Sequence, residues 1–414
     1  MMKDKDWRED LMLGNRPLWS IGVAVMIRSI GFGATWPFMA IFFTRYLRIP
    51  IYEVGAIFAM LAISGVFFQI SGGYLSDFRG RRFSLLLGSA SGIAIYTSII
   101  TLLFSGAPAL PIVVLFILTS VSGSIIFPAA NAYVADVTLP FERTRAYSIY
   151  RILANTGWAA GPLMGSILFR YGIVWIFVLV DMTLLLQFST LYLLVREKRD
   201  TRVRVNRMEG IRERFSMLLV YDSSLLIFSA GTFLLMMLVS QFSVTLPEYV
   251  VVKGAISADQ LGYIYAVNGL VVMLGQFPTT SLVRRMRETD VVIIGTLFYM
   301  LGYFLVAFSS GLIPLMADMA IITTGENLTT PSMNSIVSKL APQDRVGRYM
   351  AFNGMANSAG RAMGPTVGSL LLFLFSYNGF RVWSFMDVFG IASIILILTL
   401  QRKRGTSPQK LPSI

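Results

Sequence analysis

The chain has 414 residues, of which 55% are apolar and only 14% are charged, and its formal net charge is +13. Soluble proteins carry about 25% charged residues, so this composition excludes an ordinary soluble domain and favours a bilayer as the solvent. The sequence contains no cysteine and no histidine, which excludes disulfides and metal sites built from thiol or imidazole ligands. We therefore expect no metal and no cofactor, and proton chemistry would have to use Asp, Glu, Tyr or Lys.

Apolar stretches of about twenty or more residues recur along the whole chain, and each can cross a hydrocarbon core of about 30 Å. The longer stretches must tilt, kink or extend past the bilayer surface. A signal peptide is not expected, because the first apolar run is too long and lacks a small-residue cleavage site. The twelve predicted helices cover 17–46, 52–76, 83–104, 109–136, 145–169, 172–195, 218–250, 258–283, 290–309, 312–338, 346–376 and 379–400.

Basic residues are concentrated in the N-terminal segment, the loops after even-numbered helices and the C-terminal tail, with dense clusters at 196–214 and 402–410. By the positive-inside rule, both termini are expected in the cytoplasm of a multi-pass plasma-membrane protein. The basic charge would then face anionic lipid, so nucleic acid is not an expected partner. The opposite loops contain Arg45, Arg48, Arg170, Lys253 and Arg381.

The two halves of the sequence resemble each other. At an offset of 203 residues, the stretch 127–168 aligns with 330–371, which matches Pro128 with Pro331. Earlier in each half, at an offset of 207 residues, Gly55 matches Gly262. A coincidence of Pro and Gly positions in register indicates a duplicated six-helix unit.

The repeat predicts an all-α polytopic membrane protein with 12 transmembrane helices in two pseudo-symmetric six-helix bundles. This organisation is typical of secondary transporters, whose substrate site lies between the halves near the bilayer midplane. The predicted domains are an N-terminal bundle at 1–195, a cytoplasmic linker at 196–217, a C-terminal bundle at 218–400 and a cytoplasmic tail at 401–414.

A short motif lies between the second and third predicted helices. The sequence GYLSDFRGRR at 73–82 resembles the signature loop of the major facilitator superfamily, and 127–168 is similar to helices four and five of its drug:proton antiporter branch. Two positions depart from those patterns. Phe78 stands where the family often has a base, and Ser166 replaces the final glycine of the antiporter motif. The direction of transport is therefore open.

The resemblance implies a conformational latch at this loop. Asp77 would meet the start of helix eleven near 345–348, Arg81 would pair with Asp136 at the end of helix four, and Gly73 would admit a neighbouring helix. Arg79 and Arg82 are expected to face lipid phosphate, and in the alternative interpretation the arginines are only topology signals. The predicted latch residues are Gly73, Asp77, Gly80, Arg81, Arg82 and Asp136.

Glycine recurs every four residues on helices five and eleven, which gives each helix a smooth face for close packing. The predicted helix-packing motif comprises Gly157, Gly161, Pro162, Gly165, Gly360, Gly364, Pro365 and Gly368.

Charged residues inside a bilayer are costly and are candidates for function. Glu326 is unduplicated and near mid-span, so it is the predicted proton-coupling residue, since a buried carboxyl can exchange a proton near neutral pH. The duplicated acids Asp181 and Asp387 are expected to be structural. Arg28 and Arg361 are each predicted either to bind substrate or to pair with a neighbouring helix.

Aromatic and polar residues complete the predicted cavity. Phe38, Phe42 and Phe43, together with Trp36 and Phe242, are predicted either to supply an apolar cavity wall or simply to face lipid. The predicted cavity residues are Arg28, Trp36, Asn131, Arg151, Asn155, Gln241, Phe242, Asn268, Asn327, Asn357 and Arg361.

Together these features predict a secondary active transporter that works by alternating access. The leading interpretation is a monomeric, proton-coupled exporter of amphipathic small molecules. An alternative is a transporter of an organic anion or sugar, held by Arg28, Arg151 and Arg361. A non-transporting membrane sensor is disfavoured by the short linker and tails. The sequence shows neither a nucleophile paired with a base nor a phosphate-binding loop. An enzyme is therefore not expected.

Overall fold

The computed structural model describes residues 14–139, 141–197, 222–283, 286–342 and 345–405. Over these ranges the chain is helical and contains no strand. Most of the predicted linker, and the tail beyond residue 405, lie outside the described residues. The twelve long helices are α1 Arg16–Tyr46, α2 Ile51–Arg79, α3 Arg81–Phe104, α4 Ala109–Asp136, α5 Arg143–Phe169, α6 Ile173–Leu194, α7 Ser223–Val252, α8 Leu261–Val283, α9 Glu288–Val306, α10 Leu312–Leu340, α11 Val346–Leu374 and α12 Gly379–Gly405.

Within the described ranges, nine helices are long and apolar enough to cross a membrane: α1 to α7, α9 and α12. α10 and α11 carry intramembrane polar residues of the candidate site, including Glu326, Asn327 and Arg361, which make both helices less apolar. The protein is an all-α polytopic membrane protein, as the composition predicts.

The chain divides into two compact units. Unit 1 falls within Met1–Asp200 and Ile256–Gly269, and unit 2 within Thr201–Ala255 and Leu270–Ile414. The sequence placed 256–269 with the second bundle, whereas here this segment packs with unit 1. The predicted boundary at 196–217 stays a prediction, since it falls mostly outside the described residues.

The packing order of the helices is repeated between the units. In unit 1, α1 packs on α5 and α6, while α3 packs on α4 and α6. In unit 2, α7 packs on α11 and α12, while α9 packs on α10 and α12. Each of these four pairs in unit 1 therefore has its counterpart six helices later, which is the arrangement expected of a duplicated six-helix unit.

The glycine rows hold the closest of these contacts. A Cβ built on Gly161 would lie 2.5 Å from the carbonyl oxygen of Ile30 in α1, and one on Gly364 would lie 2.7 Å from that of Met237 in α7. Ile30 and Met237 are separated by the same 207 residues that align the early helices of the two halves. The proline after each glycine, Pro162 or Pro365, lies inside its helix. The duplication is therefore preserved in the packing as well as in the sequence.

The first helix of each unit changes its winding partway along. α1 contains a 3-10 turn at Trp36–Phe38 and a π-helical turn at Phe42–Tyr46, and α7 contains a 3-10 turn at Ser240–Phe242. Such turns are uncommon inside long helices and rotate the side chains that follow them.

The rotation in α1 overturns part of the predicted aromatic wall. Three phenylalanines expected to line a cavity are fully buried in unit 1. Phe38 stacks on Phe169 with ring centroids 5.1 Å apart, and Phe42 packs on Phe177 at 4.9 Å. Phe43 packs in the same way, at 4.9 Å from a ring of α4. These rings fill the core of the unit and are not available to a substrate.

Candidate functional site

The predicted proton-coupling residue lies on α10 of unit 2. The side chain of Glu326 is half-buried. The phenol groups of Tyr299 and Tyr303, on α9, lie in electrostatic range of both Glu326 and Arg361. Tyr303 is held in place because its hydroxyl donates to the carbonyl of Val239 at 3.0 Å. An acid, a base and two phenols are thus gathered around one region of unit 2.

The neighbour of Glu326 fixes α10 against α8. Asn327 is buried, and its Nδ2 donates to the carbonyl oxygen of Val271 at 3.0 Å. A Cβ on Gly275, one turn further along α8, would collide with the same amide. Asn327 therefore positions the helix that carries Glu326, and its amide is largely withdrawn from solvent.

Three polar residues, Asn353, Asn357 and Arg361, follow one another every four residues on α11 and differ in their burial. Arg361 is exposed, and its Nε donates to Asn357 Oδ1 at 3.2 Å. One turn before Asn357, Asn353 is buried and accepts a hydrogen bond from Thr232 Oγ1 of α7 at 2.9 Å. Only the second half of the row, Asn357 with Arg361, remains accessible.

Gln241 is a correction to the predicted cavity. It is fully buried, and its Nε2 donates to the carbonyl oxygens of Met237 at 2.6 Å and Gly364 at 3.0 Å. Its Oε1 accepts from the hydroxyl of Thr245. The 3-10 turn turns this amide towards α11, where glycine leaves room for it, so Gln241 joins α7 to α11 instead of lining a cavity. Phe242, the next residue, is half-buried.

Arg28 is the most unusual residue of unit 1. Its guanidinium carbon lies 4.2 Å from the ring centroid of Phe32, and its Nε is buried with no hydrogen-bond acceptor among the described residues. Tyr96 and Tyr150 lie in electrostatic range of it. A half-buried cation with a buried, unused donor is chemically suited to receive an anion.

The other predicted cavity residues of unit 1 are half-buried, except for one exposed arginine. Trp36 is half-buried and meets the ring of Phe58 edge-on at 5.5 Å. The amide of Asn131 donates to the carbonyl of Phe127 in its own helix at 2.8 Å. Among the remaining three, Arg151 is exposed, while Asn155 and Asn268 are half-buried.

The α2–α3 loop contains an ion network centred on Arg81. Its Nη1 lies 2.5 Å from Asp77 Oδ1, and its Nε donates to Asp136 Oδ2 at 3.1 Å. Nη1 also donates to Ser76 Oγ at 3.1 Å. The ion pair with Asp136 implied by the family resemblance is present in unit 1. The proposed role of Asp77 towards 345–348 stays a prediction.

Glu197 completes this network and was missed by the sequence analysis. Its two carboxylate oxygens accept the backbone N–H groups of Arg81 at 2.9 Å and Arg82 at 2.8 Å, which are the first residues of α3. A helix leaves its first N–H groups without partners and has a positive N-terminal end, so a carboxylate there is stabilising. An isolated acid in the basic stretch after α6 was the only sequence signal.

One residue near the α2–α3 loop differs from its predicted role. A Cβ on Gly73 would meet open space, whereas one on Gly72 would lie 2.7 Å from Ile125 of α4. Adjacent helical residues point about 100° apart, so Gly72 makes the close approach in place of Gly73. The Nη2 of Arg82 donates to the carbonyl of Tyr192 at 2.7 Å, and its predicted contact with lipid phosphate stays a prediction. Gly80 has a φ of 101°, which favours glycine there.

The segment 256–269 is attached to the C-terminal end of α5. Ser166 Oγ accepts the backbone N–H of Gly262 at 2.9 Å, and Arg170 Nε lies 2.8 Å from Asp259 Oδ2. The hydroxyl of Ser257 lowers the pKa of Asp259, partial burial opposes this, and Arg170 lowers the pKa further. Ser166, a departure from the antiporter motif, thus makes a specific contact in this chain.

Other acids of the two units lie in different surroundings, and one carboxylate oxygen each of Asp181, Asp318 and Asp387 is buried without a hydrogen-bond partner among the described residues. Asp181 accepts from Thr97 Oγ1 at 3.0 Å, which ties α6 to α3. Glu248 in α7 is only 1% exposed and lies 3.4 Å from the hydroxyl of Tyr377. Glu248 lies at the very end of a predicted span, so its sequence position alone does not mark it as an intramembrane charge.

The sequence matches the family model of the Major Facilitator Superfamily over residues 21–255 and 228–413. The uncharacterized MFS-type transporter YttB of Bacillus subtilis is 25% identical, over 92% of this chain and 91% of that protein. A Na(+), Li(+), K(+)/H(+) antiporter of Planococcus maritimus is 26% identical (88% and 90%), and multidrug resistance protein 2 of Bacillus subtilis is 22% identical (89% and 91%). A solved structure of the nucleoside transporter NupG, determined on a point mutant, shares the fold, with a TM-score of 0.78, 12% identity and coverage of 93% and 99%.

Proposed function

The chain belongs to the Major Facilitator Superfamily of membrane transporters, and we propose that it is a proton-coupled exporter of amphipathic small molecules. It would work by alternating access as a monomer in the cell membrane, with both termini in the cytoplasm. A multidrug resistance protein and a cation/proton antiporter among its relatives support this choice within the family.

The observation that carries the proposal is the setting of Glu326. A half-buried carboxyl on a helix predicted from the sequence to cross the membrane is costly and is a candidate for function. Arg361 is in electrostatic range of the same two tyrosines as Glu326. When Glu326 takes up a proton, its negative charge is lost and the positive charge of Arg361 remains in this region. Proton binding and substrate binding would then favour different charge states, which is the basis of exchange.

Transport driven by a pH gradient in proteoliposomes tests the proposal. A panel of fluorescent amphipaths with positive, zero and negative charge would be offered to the wild type and to Glu326→Gln. We expect the variant to lose gradient-driven transport of every probe that the wild type moves. Glu288→Gln is the matched control, since Glu288 is bound by Lys339 at 2.6 Å in the same unit. Gradient-driven transport by Glu326→Gln at the wild-type rate would contradict the proposal.

One observation favours the second candidate, transport of an organic anion. Arg28 has a buried, unused donor, whereas Arg361 is bound to Asn357 and Arg151 is exposed. Anionic substrates are compatible with proton-coupled export, so the two candidates differ in the class of molecule that is carried. A sugar has no group that specifically requires a buried cation.

A further inference from the structure

We infer that unit 1 contains an anion-binding subsite at Arg28, which receives the carboxylate of an amphipathic substrate. The inference rests on the proposed function, because it names the chemical class of the molecules that this transporter carries. Its parts are a half-buried arginine with a buried Nε, a neighbouring aromatic ring and a glycine facing the guanidinium.

The guanidinium of Arg28 has a buried donor for which the described residues supply no acceptor. Nε of Arg28 is buried, no acceptor among the described residues meets it, and none of the ion pairs found in those residues includes Arg28. An unused charged donor inside a protein is strongly unfavourable, so the fold tolerates it at a cost that a ligand can offset. The planar fork of arginine matches the two oxygens of a carboxylate, which would supply the missing acceptor.

An aromatic ring and a glycine lie beside the guanidinium. The ring of Phe32 lies 4.2 Å under the guanidinium, and Tyr96 and Tyr150, which are 2% and 7% exposed, are close enough to act on its charge. A Cβ at position 123 would lie 2.9 Å from Nη2, so any other residue there would require the guanidinium to shift from its present position. Phe32, which is half-buried, would meet the apolar part of a ligand whose charged end is bound by Arg28.

The repeat shows what stands at the equivalent positions of unit 2. With the offset of 207 residues that aligns the first helices of the two units, Leu235 is equivalent to Arg28. With the offset of 203 residues that aligns 127–168 with 330–371, Glu326 is equivalent to Gly123. Leu235 is fully buried, so the same helix position in unit 2 is filled by an ordinary apolar residue. The fold itself therefore does not require an arginine there. The charges of Arg28 and Glu326 are specific to one unit each, as expected of functional residues.

Binding to the full-length protein in nanodiscs, without a pH gradient, tests the subsite. The probes are benzoate, 2-naphthoate and decanoate, each compared with its uncharged amide by calorimetry. We expect the wild type to prefer at least one carboxylate over its amide, and Arg28→Gln to weaken that carboxylate by about 10- to 100-fold with the amide unchanged. Arg381→Gln, which removes an exposed arginine in a loop, is the control and should keep the preference.

A second variant tests the geometry without changing any charge. Gly123→Ala places a methyl group against Nη2 and should reduce the same preference. The inference is overturned if Arg28→Gln keeps the wild-type preference, or if the wild type prefers none of the carboxylates. Glu288→Gln, which removes a carboxylate paired with Lys339 at 2.6 Å in unit 2, should retain the preference. A preserved preference combined with gradient-independent transport would overturn proton coupling and leave the subsite standing.

Discussion

Replacing Gly161 by alanine tests the packing on which unit 1 depends. The added Cβ would lie 2.5 Å from the carbonyl oxygen of Ile30, 2.7 Å from the backbone nitrogen of Ala34 and 2.8 Å from the carbonyl carbon of Gly33. All three atoms belong to the backbone of α1, so no side chain can rotate away. Ordinary contact begins at 3.4 Å, which requires α1 and α5 to separate by roughly 0.9 Å.

Overpacking of this kind costs about 1–3 kcal/mol. Alanine has a higher helix propensity than glycine by about 1 kcal/mol, which offsets part of that cost. Gly354→Ala on α11 is the matched control, because a Cβ there meets no atom within 4 Å and only the propensity gain remains. The two variants should therefore differ by the packing cost alone, about 1–3 kcal/mol.

The assay is the apparent melting temperature of the full-length protein in one detergent. For a unit of about 200 residues, 1 kcal/mol corresponds to roughly 2–4 °C, so Gly161→Ala should melt about 2–12 °C below Gly354→Ala. Equal melting temperatures for the two variants would show that α1 and α5 are not in the close contact described, and would refute the reasoning.

Two further predictions concern the loops. Glu197→Gln should weaken the capping of α3 by about 0.3–1 kcal/mol, seen as faster hydrogen exchange at residues 81–84, and unchanged exchange would contradict the assignment. Asp259 has a lowered pKa in the folded protein, so its ion pair with Arg170 stabilises above the unfolded pKa of about 3.9 and is lost as the pH falls through the folded value. Asp259→Asn should therefore reduce the free energy of unfolding at neutral pH by less than about 1 kcal/mol. The variant would melt at a slightly lower temperature than the wild type, and this difference in melting temperature should vanish in strong acid. A difference independent of pH would contradict this.

The features predictable from the sequence are those written into its periodicity. Glycine every fourth residue on α5 and α11 is a property of one helix face, and the structure places both rows against the first helix of their own units. Apolar length predicts the helices, and the offset of the repeat predicts which helices correspond. The contact of Arg81 with Asp136 followed from the family resemblance.

The errors arise where rotation about a helix or a distant segment decides the outcome. Gly72 and Gly73 are neighbours in sequence, and only the azimuth of α2 selects the first for contact with α4. The 3-10 turn in α7 directs Gln241 into the interior, which periodicity of 3.6 residues does not anticipate. Glu197 caps a helix more than one hundred residues away in sequence, so no local pattern identifies it.

The most direct test of proton coupling through Glu326 is proton release on substrate binding. A transported amphipath would be added to the purified protein in a weakly buffered detergent solution. A pH indicator dye in the solution would report the protons released. The account predicts that the wild type releases protons on binding and that Glu326→Gln releases none while still binding the amphipath. Equal release by both proteins, or binding by the wild type without any release, would contradict it.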